Sequence, residues 1–384
     1  MTSFDSPSRA RGPLLLDRIW QINWGLVLLL GMIAGVGFAM LYSAAGGSFQ
    51  PWSEKQMIRF AIGVACLVLV ALVDLRVWLR LAYLIYLVAF ALLVAVEIRG
   101  EIGMGAQRWI DFGFIQIQPS EIMKIALVLA LARYFNGLDL DETGRPVLIV
   151  VPTLLVLAPA ALVLKQPDLG TAIMLMAGGA AVFFIAGVRM WKFGAALGLA
   201  AAAVPIAWEF LRDYQKKRVL TFLNPEADPL GAGYHIIQSK IALGSGGVFG
   251  KGFLQGTQAH LNFLPEKQTD FIFTMLAEEW GLVGGLTLLG LYALVIAYGF
   301  LIALRSRNQF GRILALGVTT TLFLYVFINS AMVMGLLPVV GVPLALVSFG
   351  GTAMLTVMFG MGLVVCVYVH RDMEINRQGE AGPE

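Results

Sequence analysis

Residues 313–369 read ILALGVTTTLFLYVFINSAMVMGLLPVVGVPLALVSFGGTAMLTVMFGMGLVVCVYV and contain no Asp, Glu, Lys or Arg. A single membrane crossing needs about 20 apolar residues, so this stretch is far too long for one helix. Near its middle it contains helix-interrupting residues, which are Gly335, Pro338, Gly341 and Pro343. The stretch therefore predicts two membrane-spanning helices joined by a short turn.

The rest of the chain has the same apolar character. Of its 384 residues, 59% are hydrophobic and 13% are charged, whereas a soluble domain carries about 25% charged residues. A water-soluble globular protein is therefore excluded. Eight further apolar segments lie at residues 24–42, 56–73, 81–97, 119–135, 147–164, 169–188, 193–209 and 271–304. Together with the last two, they predict an all-α integral membrane protein, a ten-transmembrane-helix bundle with both termini on one side.

The distribution of Arg and Lys predicts which side that is. If both termini are cytoplasmic, fourteen of these residues lie on the cytoplasmic side and six on the outer side, outside the large loop, in agreement with the positive-inside rule. Residues 1–384 then form one membrane domain with cytoplasmic tails at 1–23 and 370–384. The outer side has a first functional loop at 98–119 and a large extracytoplasmic loop at 209–270, between spans seven and eight. We expect this large loop to fold onto the membrane surface, with an amphipathic piece around 233–243.

Several kinds of chemistry do not fit the sequence. The net charge of +3 gives no basic surface for nucleic acid. Cys66 and Cys366 lie in apolar runs, so no disulfide framework or cysteine metal site is expected. Residues 245–252 (SGGVFGKG) resemble a phosphate-binding Walker loop, but Ser replaces the first Gly and Gly replaces the Ser or Thr that holds magnesium. His235 and His260 lack metal-ligand spacing. We therefore expect chemistry at the outer face that ATP does not drive.

Ionisable residues at membrane depth are costly and are candidates for function. Glu121 and Lys124 lie one turn apart at the start of span four, behind Ser120 as the expected N-cap. A structural ion pair and a functional pair explain this spacing equally well. Asp168 links spans five and six, where helix capping is the alternative to a functional role.

The outer loops contain the other candidates. Arg108 could bind phosphate or lipid headgroups, and Trp109 beside it is a typical membrane-interface anchor. A basic cluster in the large loop could face headgroups or hold a pyrophosphate; its members are Arg212, Lys216, Lys217 and Arg218. Asp270 lies where the large loop enters an apolar helix, which suits a general base facing a lipid-borne substrate. Helix capping is again the alternative.

Taken in order, these motifs resemble the SEDS family (shape, elongation, division and sporulation). The matching residues are 106–111 (AQRWID), 118–121 with Lys124, 166–172 (QPDLGTA), 224–234 (NPEADPLGAGY), 264–266 (LPE), 269–271 (TDF), Asn329 with the turn at 335–343, and 348–351 (SFGG). The resemblance covers nearly the whole chain, and residues 224–229 with 237–240 favour the cell-elongation members over the cell-division members. One departure is Gln268, which stands where many members carry His.

The resemblance implies a peptidoglycan glycosyltransferase that polymerises lipid II at the periplasmic face of the bacterial cytoplasmic (inner) membrane, for cell elongation and rod shape. Asp270 would be the base that deprotonates the acceptor hydroxyl while polyprenyl pyrophosphate leaves with inversion. The implied substrate-binding candidates are Lys55, Arg108, Trp109, Glu121, Lys124, Asp168, Arg218 and Lys240. No cofactor or metal site is required, although a divalent cation could assist.

The resemblance also implies partners. These are a class B penicillin-binding protein with one transmembrane helix, acting as transpeptidase, and other membrane proteins of the elongation complex. We expect a groove of small residues in spans eight and nine to receive the partner's helix; its members would be Gly281, Gly284, Gly285, Gly290, Gly317 and Ser330. Two other functions stay open. A lipid II flippase would need a polar path through the bundle, and a non-catalytic scaffold for the transpeptidase would need neither Asp270 nor Lys124.

Overall fold

The computed structural model describes residues 19–103, 106–111, 113, 116–139, 142–210, 216, 220–224, 232–261, 263–264 and 266–375. These residues form ten long helices, two shorter helices and a small sheet. The long helices are α1 (Trp24–Ala44), α2 (Ser53–Leu72), α3 (Leu75–Arg99), α4 (Pro119–Asn136), α5 (Pro146–Lys165), α6 (Leu169–Ile185), α7 (Met190–Phe210), α10 (Ile272–Arg305), α11 (Gln309–Val333) and α12 (Gly351–Val369). The shorter ones are α8 (Ala232–Ser245) and α9 (Thr257–His260).

Most of the long helices can cross a membrane. Within the described residues, seven combine sufficient length with sufficient hydropathy, namely α1, α2, α3, α5, α10, α11 and α12. Of the other three, α4 carries the charges of Glu121, Lys124 and Arg133, while the apolar parts of α6 and α7 are shorter. The chain is therefore a multi-pass membrane protein.

Helix α4 lies at the centre of the bundle. Apart from the three charged residues just named, apolar residues lie around its whole circumference, and almost all residues of the helix are buried, which is the pattern of an interior helix. It packs against α3, α5, α6, α11 and α12. The first turn of α4 therefore carries Glu121 and Lys124 into the interior of the protein, where each side chain is only 3% exposed.

The expectation of an all-α protein is wrong in the first outer loop. Between α3 and α4 the chain forms an antiparallel sheet of three strands, β1 (Glu101–Gly103), β2 (Ala106–Asp111) and β3 (Gln116–Ile117), with β2 in the middle. Strand β2 contains Trp109 and Ile110, whose side chains favour strands. Pairing on both edges of β2 also satisfies backbone groups that a plain loop would leave to solvent.

The segment predicted as one span at 271–304 contains a break. Gly281 has φ 67° and ψ −163° inside α10, in a region of backbone space that favours glycine. The break divides α10 into two parts, which we call the 272–280 helix and the 282–305 helix. At 1.5 Å per residue the 282–305 helix is about 36 Å long, enough to cross the bilayer alone. The 272–280 helix is therefore an additional element before the crossing.

The connection between the last two helices is longer than the predicted short turn. Helix α11 ends at Val333 and α12 begins at Gly351, so residues 334–350 form an irregular segment, here the 334–350 segment. It contains the buried side chains of Val342, Leu344 and Leu346. The apolar side chains account for this burial, because a stretch rich in Val and Leu packs into the bundle even where Gly and Pro prevent a helix.

Candidate functional site

Asp270 lies directly before the 272–280 helix, and its backbone is fixed from several sides. The side-chain amide of Asn329 in α11 donates hydrogen bonds to the carbonyl oxygens of Asp270 (2.9 Å) and Val342 (2.8 Å). The hydroxyl of Ser348 donates to the carbonyl of Thr269 at 2.6 Å. Helix α11, the 334–350 segment and the start of α10 therefore meet at Asp270, which is half-buried.

The carboxylate of Asp270 points towards the 334–350 segment. A Cβ atom built on Gly341 would lie 3.5 Å from its Oδ2 atom, and Gly341 has φ 69°. The N-cap residue of α10 is Phe271, which makes no side-chain capping hydrogen bond. Asp270 therefore precedes the N-cap position of α10.

Glu121 and Lys124 form the ion pair that their spacing predicts. Lys124 Nζ lies 2.6 Å from Glu121 Oε1 and 4.2 Å from the ring centroid of Tyr325 in α11. The Tyr325 hydroxyl donates to the other carboxylate oxygen of Glu121. The N-cap of α4 is Gln118 and not Ser120 as expected, because Pro119 takes the first helical position. All three members of the cluster are buried.

Asp168 is the N-cap of α6, as the capping alternative predicts. Its carboxylate accepts hydrogen bonds from the backbone N–H (3.1 Å) and the hydroxyl (2.9 Å) of Thr171. It also accepts a longer one from the side-chain amide of Gln118 at 3.4 Å. From β2, the guanidinium of Arg108 donates to the backbone carbonyls of Gln166 (3.3 Å) and Pro167. The first outer loop and the α5–α6 connection therefore form one polar surface.

This polar surface is joined to Asp270 through a glycine. A Cβ atom at Gly170 would lie only 2.5 Å from the carbonyl oxygen of Val340, so the start of α6 packs directly on the 334–350 segment. The same segment lies against Asp270 at Gly341, and Asn329 links the two by donating to the carbonyls of both Asp270 and Val342. Motifs that are about 100 residues apart in sequence thus meet in one region of the structure.

Of the remaining predicted site residues, those that the structure describes lie outside the hydrogen bonds around Asp270 and Asp168. Lys240 is exposed on α8, and its side chain lies over Gly335 of the 334–350 segment. Lys55 is exposed in the first turn of α2, and Trp109 is half-buried in β2. Neither takes part in the hydrogen bonds just described. Arg218, with Arg212 and Lys217, lies outside the described residues.

Comparison with known proteins agrees with this arrangement. A protein-family model named for FtsW, RodA and SpoVE, and described as "Cell cycle protein", matches residues 19–373. The chain belongs to the FtsW/RodA/SpoVE family. The resemblance to the SEDS family, which the motifs predict, is therefore confirmed.

Three members of the FtsW/RodA/SpoVE family illustrate how close the similarity is. Peptidoglycan glycosyltransferase MrdB of Escherichia coli K12 is 49% identical over 354 residues, 91% of this chain and 93% of the relative. A solved structure titled "Structural coordination of polymerization and crosslinking by a peptidoglycan synthase complex" is 35% identical with a TM-score of 0.79, covering 92% and 99%. The crystal structure of Thermus thermophilus RodA is 30% identical with a TM-score of 0.69, covering 92% and 98%.

The structure adds two residues that the sequence reasoning missed. In α2, Gln56 is fully buried and its amide donates to the carbonyl of Ser348 at 2.8 Å. Arg59, one turn further, lies over the ring of Phe349 at 4.7 Å and against Gly351. Within the described residues, its buried Nη1 atom has no hydrogen-bond partner. The available signal was the cluster of polar residues from Ser53 to Arg59 at the start of a helix that is apolar beyond it.

Two titratable groups of the large loop lie close to Asp270 in sequence or space. The ring of His235 in α8 is 6.5 Å from that of Phe271, and burial lowers the pKa of His235. Burial also lowers the pKa of the Lys267 ammonium. Burial therefore favours the neutral form of the His235 imidazole.

The expected groove of small residues is not a groove in the structure. Five of its six members are buried within the chain, namely Gly281, Gly284, Gly285, Gly317 and Ser330, and only Gly290 is exposed. Gly317, for example, packs against Val128 of α4. This expectation is wrong, because these glycines and Ser330 lie inside the protein, where they allow its own segments to pack closely.

Proposed function

We propose that the chain is a peptidoglycan glycosyltransferase that polymerises lipid II for cell elongation. The similarity to MrdB and RodA supports the class of reaction. The single structural observation that carries the mechanism is the position of Asp270, whose backbone is held where α11, the 334–350 segment and the start of α10 meet. A carboxylate on a fixed backbone beside a polar surface is the arrangement expected of a general base.

For the topology we propose ten membrane crossings with both termini in the cytoplasm, so that Asp270 faces the periplasm. The three helices that fall short of the length and hydropathy criteria, α4, α6 and α7, would then cross within the bundle. The excess of Arg and Lys in the predicted cytoplasmic segments supports this orientation. The chain would lie in the bacterial inner membrane.

In the proposed reaction, Asp270 takes the proton of the 4-hydroxyl of the acceptor lipid II. The hydroxyl oxygen attacks the anomeric carbon of the donor, and the bond to pyrophosphate breaks in the same displacement, which inverts the configuration. Positioning the two lipids and holding the charge of the leaving pyrophosphate would supply most of the rate enhancement. No nucleotide is needed, because pyrophosphate is already a good leaving group.

Cationic side chains around the outer region would hold that pyrophosphate. Arg108 has guanidinium donors left beyond those used on Gln166 and Pro167, and Lys240 and Lys55 are exposed; Trp109 would pack on the substrate. Arg218 is proposed only from its place in the basic cluster of the large loop. Lys124 would have to leave its buried pair with Glu121 to reach a phosphate, and Asp168 would act by holding Gln118 and the α5–α6 connection in place.

A divalent cation is a further proposal. Within the described residues, no three His, Cys, Asp or Glu side chains are grouped as metal ligands. A magnesium ion bound through the pyrophosphate oxygens and a single carboxylate would need no such group. Its role would be to neutralise the leaving group.

The proposed partner is a transpeptidase of the class B penicillin-binding type, with other elongation-complex membrane proteins. The similar structure whose description links polymerization and crosslinking in one complex supports this. A polymerised strand must be crosslinked to become wall, and the chain itself has no soluble domain of transpeptidase size among its described residues.

The experiment that tests the proposal uses the purified chain in liposomes with fluorescently labelled lipid II. A polymerase, alone or with its transpeptidase, produces glycan strands of many disaccharides. A flippase would move the label across the bilayer without producing strands, and a scaffold would do neither. Absence of strands in the presence of the partner would refute the proposed function.

A further inference from the structure

The glycine-rich loop that resembles a Walker loop fits into the break at Gly281. We call residues 246–254 the glycine loop. Its backbone donates hydrogen bonds from Lys251 to the carbonyl of Glu278 and from Gly252 to that of Glu279, both at 3.0 Å. Its carbonyls at Gly247 and Val248 accept from the N–H groups of residues 282 and 283, at 3.0 and 3.1 Å. The loop thus satisfies the backbone groups that the helix break leaves unpaired.

Two glycines of this loop, Gly246 and Gly250, are required by close packing against the 272–280 helix. A Cβ atom at Gly246 would overlap the carbonyl of Ala277, and one at Gly250 would overlap the carbonyl of Glu279. Conversely, a Cβ at Gly281 would overlap the backbone nitrogen of Gly250. The two backbones are therefore in direct contact on both sides of the break.

Buried side chains attach the same loop to the 272–280 helix. Glu278 is fully buried and its carboxylate lies 2.7 Å from Lys251 Nζ. Glu279, also buried, accepts from the N–H of Leu254 at 3.2 Å and from the hydroxyl of Ser43 at 2.5 Å. Because Ser43 is near the end of α1, the loop and the 272–280 helix are fixed to the bundle as one unit. This unit ends at Asp270.

The outward side of the glycine loop is apolar. Phe249 is 81% exposed and Val248 is 55% exposed. Phe253 and Leu254 are also exposed. Leaving such side chains in water costs about 25 cal/mol for each Å² of apolar surface, so an environment other than water is expected around them.

The depth of these side chains follows from the hydrogen bonds between the glycine loop and the start of the 282–305 helix. Val248 is bonded to Val283, the second residue of the 282–305 helix, which crosses the membrane. Val283 is itself exposed, as are Leu282 and Leu286 on the same part of the helix, so this surface faces lipid. Phe249 follows Val248 directly and therefore lies beside a lipid-facing surface.

An aromatic cluster marks the membrane interface at the same level. Tyr42 near the end of α1 contacts Phe49 (ring centroids 4.8 Å apart) and Phe253 (6.4 Å), and Phe253 contacts Trp280 (6.4 Å). Tyr and Trp collect at the boundary between headgroups and hydrocarbon. Trp280 directly precedes the break, and Val283 is the second residue of the 282–305 helix beyond it, towards the hydrocarbon.

We propose that the glycine loop inserts Val248 and Phe249 into the membrane leaflet next to Asp270, and that this contact fixes the depth of the 272–280 helix. The partner of this surface is lipid, because the loop continues the lipid-facing surface of the 282–305 helix. Insertion would hold the carboxylate of Asp270 at the level of lipid headgroups, where a pyrophosphate group lies. The proposal rests on the proposed function only for naming the outer leaflet and for the role of Asp270.

The test measures where residue 249 lies in liposomes. Phe249→Cys, in a Cys66→Ser background, is labelled with a nitroxide, while the buried Cys366 stays unlabelled. Collisions with oxygen, which concentrates in lipid, and with a water-soluble nickel chelate are compared by electron paramagnetic resonance. Controls are Leu286→Cys, on the lipid-facing helix surface, and Gln255→Cys, exposed next to the glycine loop.

The expected result is a label at 249 that is accessible to oxygen and protected from the chelate, like the label at 286. A label that behaves like the one at 255 would overturn the insertion. An immobile label shielded from both reagents would show a protein contact instead of lipid and would also overturn it. None of these results depends on catalytic activity, so failure here is distinguishable from failure of the proposed function.

A second measurement tests the link to Asp270. Phe249→Asp should weaken insertion and lower the rate of glycan polymerisation several-fold, whereas Gln255→Asp should leave the rate unchanged. Insertion in the Phe249→Asp variant is measured with a nitroxide label on Val248→Cys. If this label shows that insertion is lost while polymerisation stays at the wild-type rate, the loop does not set the depth of the site.

Discussion

Replacing Lys124 by Met tests whether the buried ion pair of α4 is structural. The substitution removes the ammonium while keeping most of the side-chain volume, so the Glu121 carboxylate stays at 3% exposure with the Tyr325 hydroxyl as its remaining partner. Removing one partner of a buried pair costs about 3–5 kcal/mol. We expect Lys124→Met to lose about that much unfolding free energy, and Glu121→Gln to lose a similar amount.

The double variant Glu121→Gln, Lys124→Met gives the sharper result. It leaves no unpaired charge, so its unfolding free energy should return to within about 1–2 kcal/mol of the wild type. A matched control is Lys165→Met, which breaks the exposed pair between Lys165 and Glu97 (69% and 21% exposed, 3.0 Å apart). That change should cost about 1 kcal/mol or less.

The assay is denaturant unfolding in detergent micelles, with glycan polymerisation measured per folded molecule on the same samples. A structural pair predicts unstable single variants that remain active while folded, and a stable, active double variant. If Lys124→Met has wild-type stability and no activity, the reasoning from burial is refuted, and Lys124 acts on the substrate.

Three further predictions concern neighbouring residues. Gly281→Ala should destabilise the protein by about 2 kcal/mol or more in thermal unfolding, because Gly281 has a left-handed backbone and an added Cβ would overlap the glycine loop. The control is Gly290→Ala, where an added Cβ meets open space; its stability in the same experiment should match that of the wild type. Asn329→Leu should remove the side-chain hydrogen bonds to the carbonyls of Asp270 and Val342, at about 0.5–1.5 kcal/mol each, and the rate of polymerisation by folded protein should fall because the backbone of Asp270 is held less firmly. Burial lowers the pKa of His235 below its ordinary value of 6.5, so the unfolded chain binds a proton more readily than the folded chain. The melting temperature should therefore fall as the pH drops below 6.5. The variant His235→Phe should show a smaller fall over the same pH range.

The sequence was most informative about local structure. Uncharged runs of helix-forming residues predict the long helices, and the three-residue spacing of Glu121 and Lys124 predicts their ion pair. Amphipathic character around 233–243 predicts α8. Each of these inferences uses residues within about 20 positions of one another, so no knowledge of the tertiary fold is needed.

The contacts between segments that are distant in sequence could not be predicted. Gly170 gives no sign that it packs on Val340, and Gly281 looks like any other glycine of an apolar helix. The break at Gly281 is stable only because the glycine loop, about 30 residues earlier, supplies the missing hydrogen bonds. For the same reason the length of the 334–350 segment was missed, because its Val and Leu side chains are equally compatible with a helix.

The most direct test of the central claim is the polymerisation of labelled lipid II by Asp270→Asn. This change keeps the size of the side chain and removes its ability to accept a proton. The proposed mechanism predicts that the purified variant has the wild-type melting temperature and produces no glycan strands, alone or with its transpeptidase partner. If the Asn variant makes strands at the wild-type rate, the carboxylate of Asp270 is not the base.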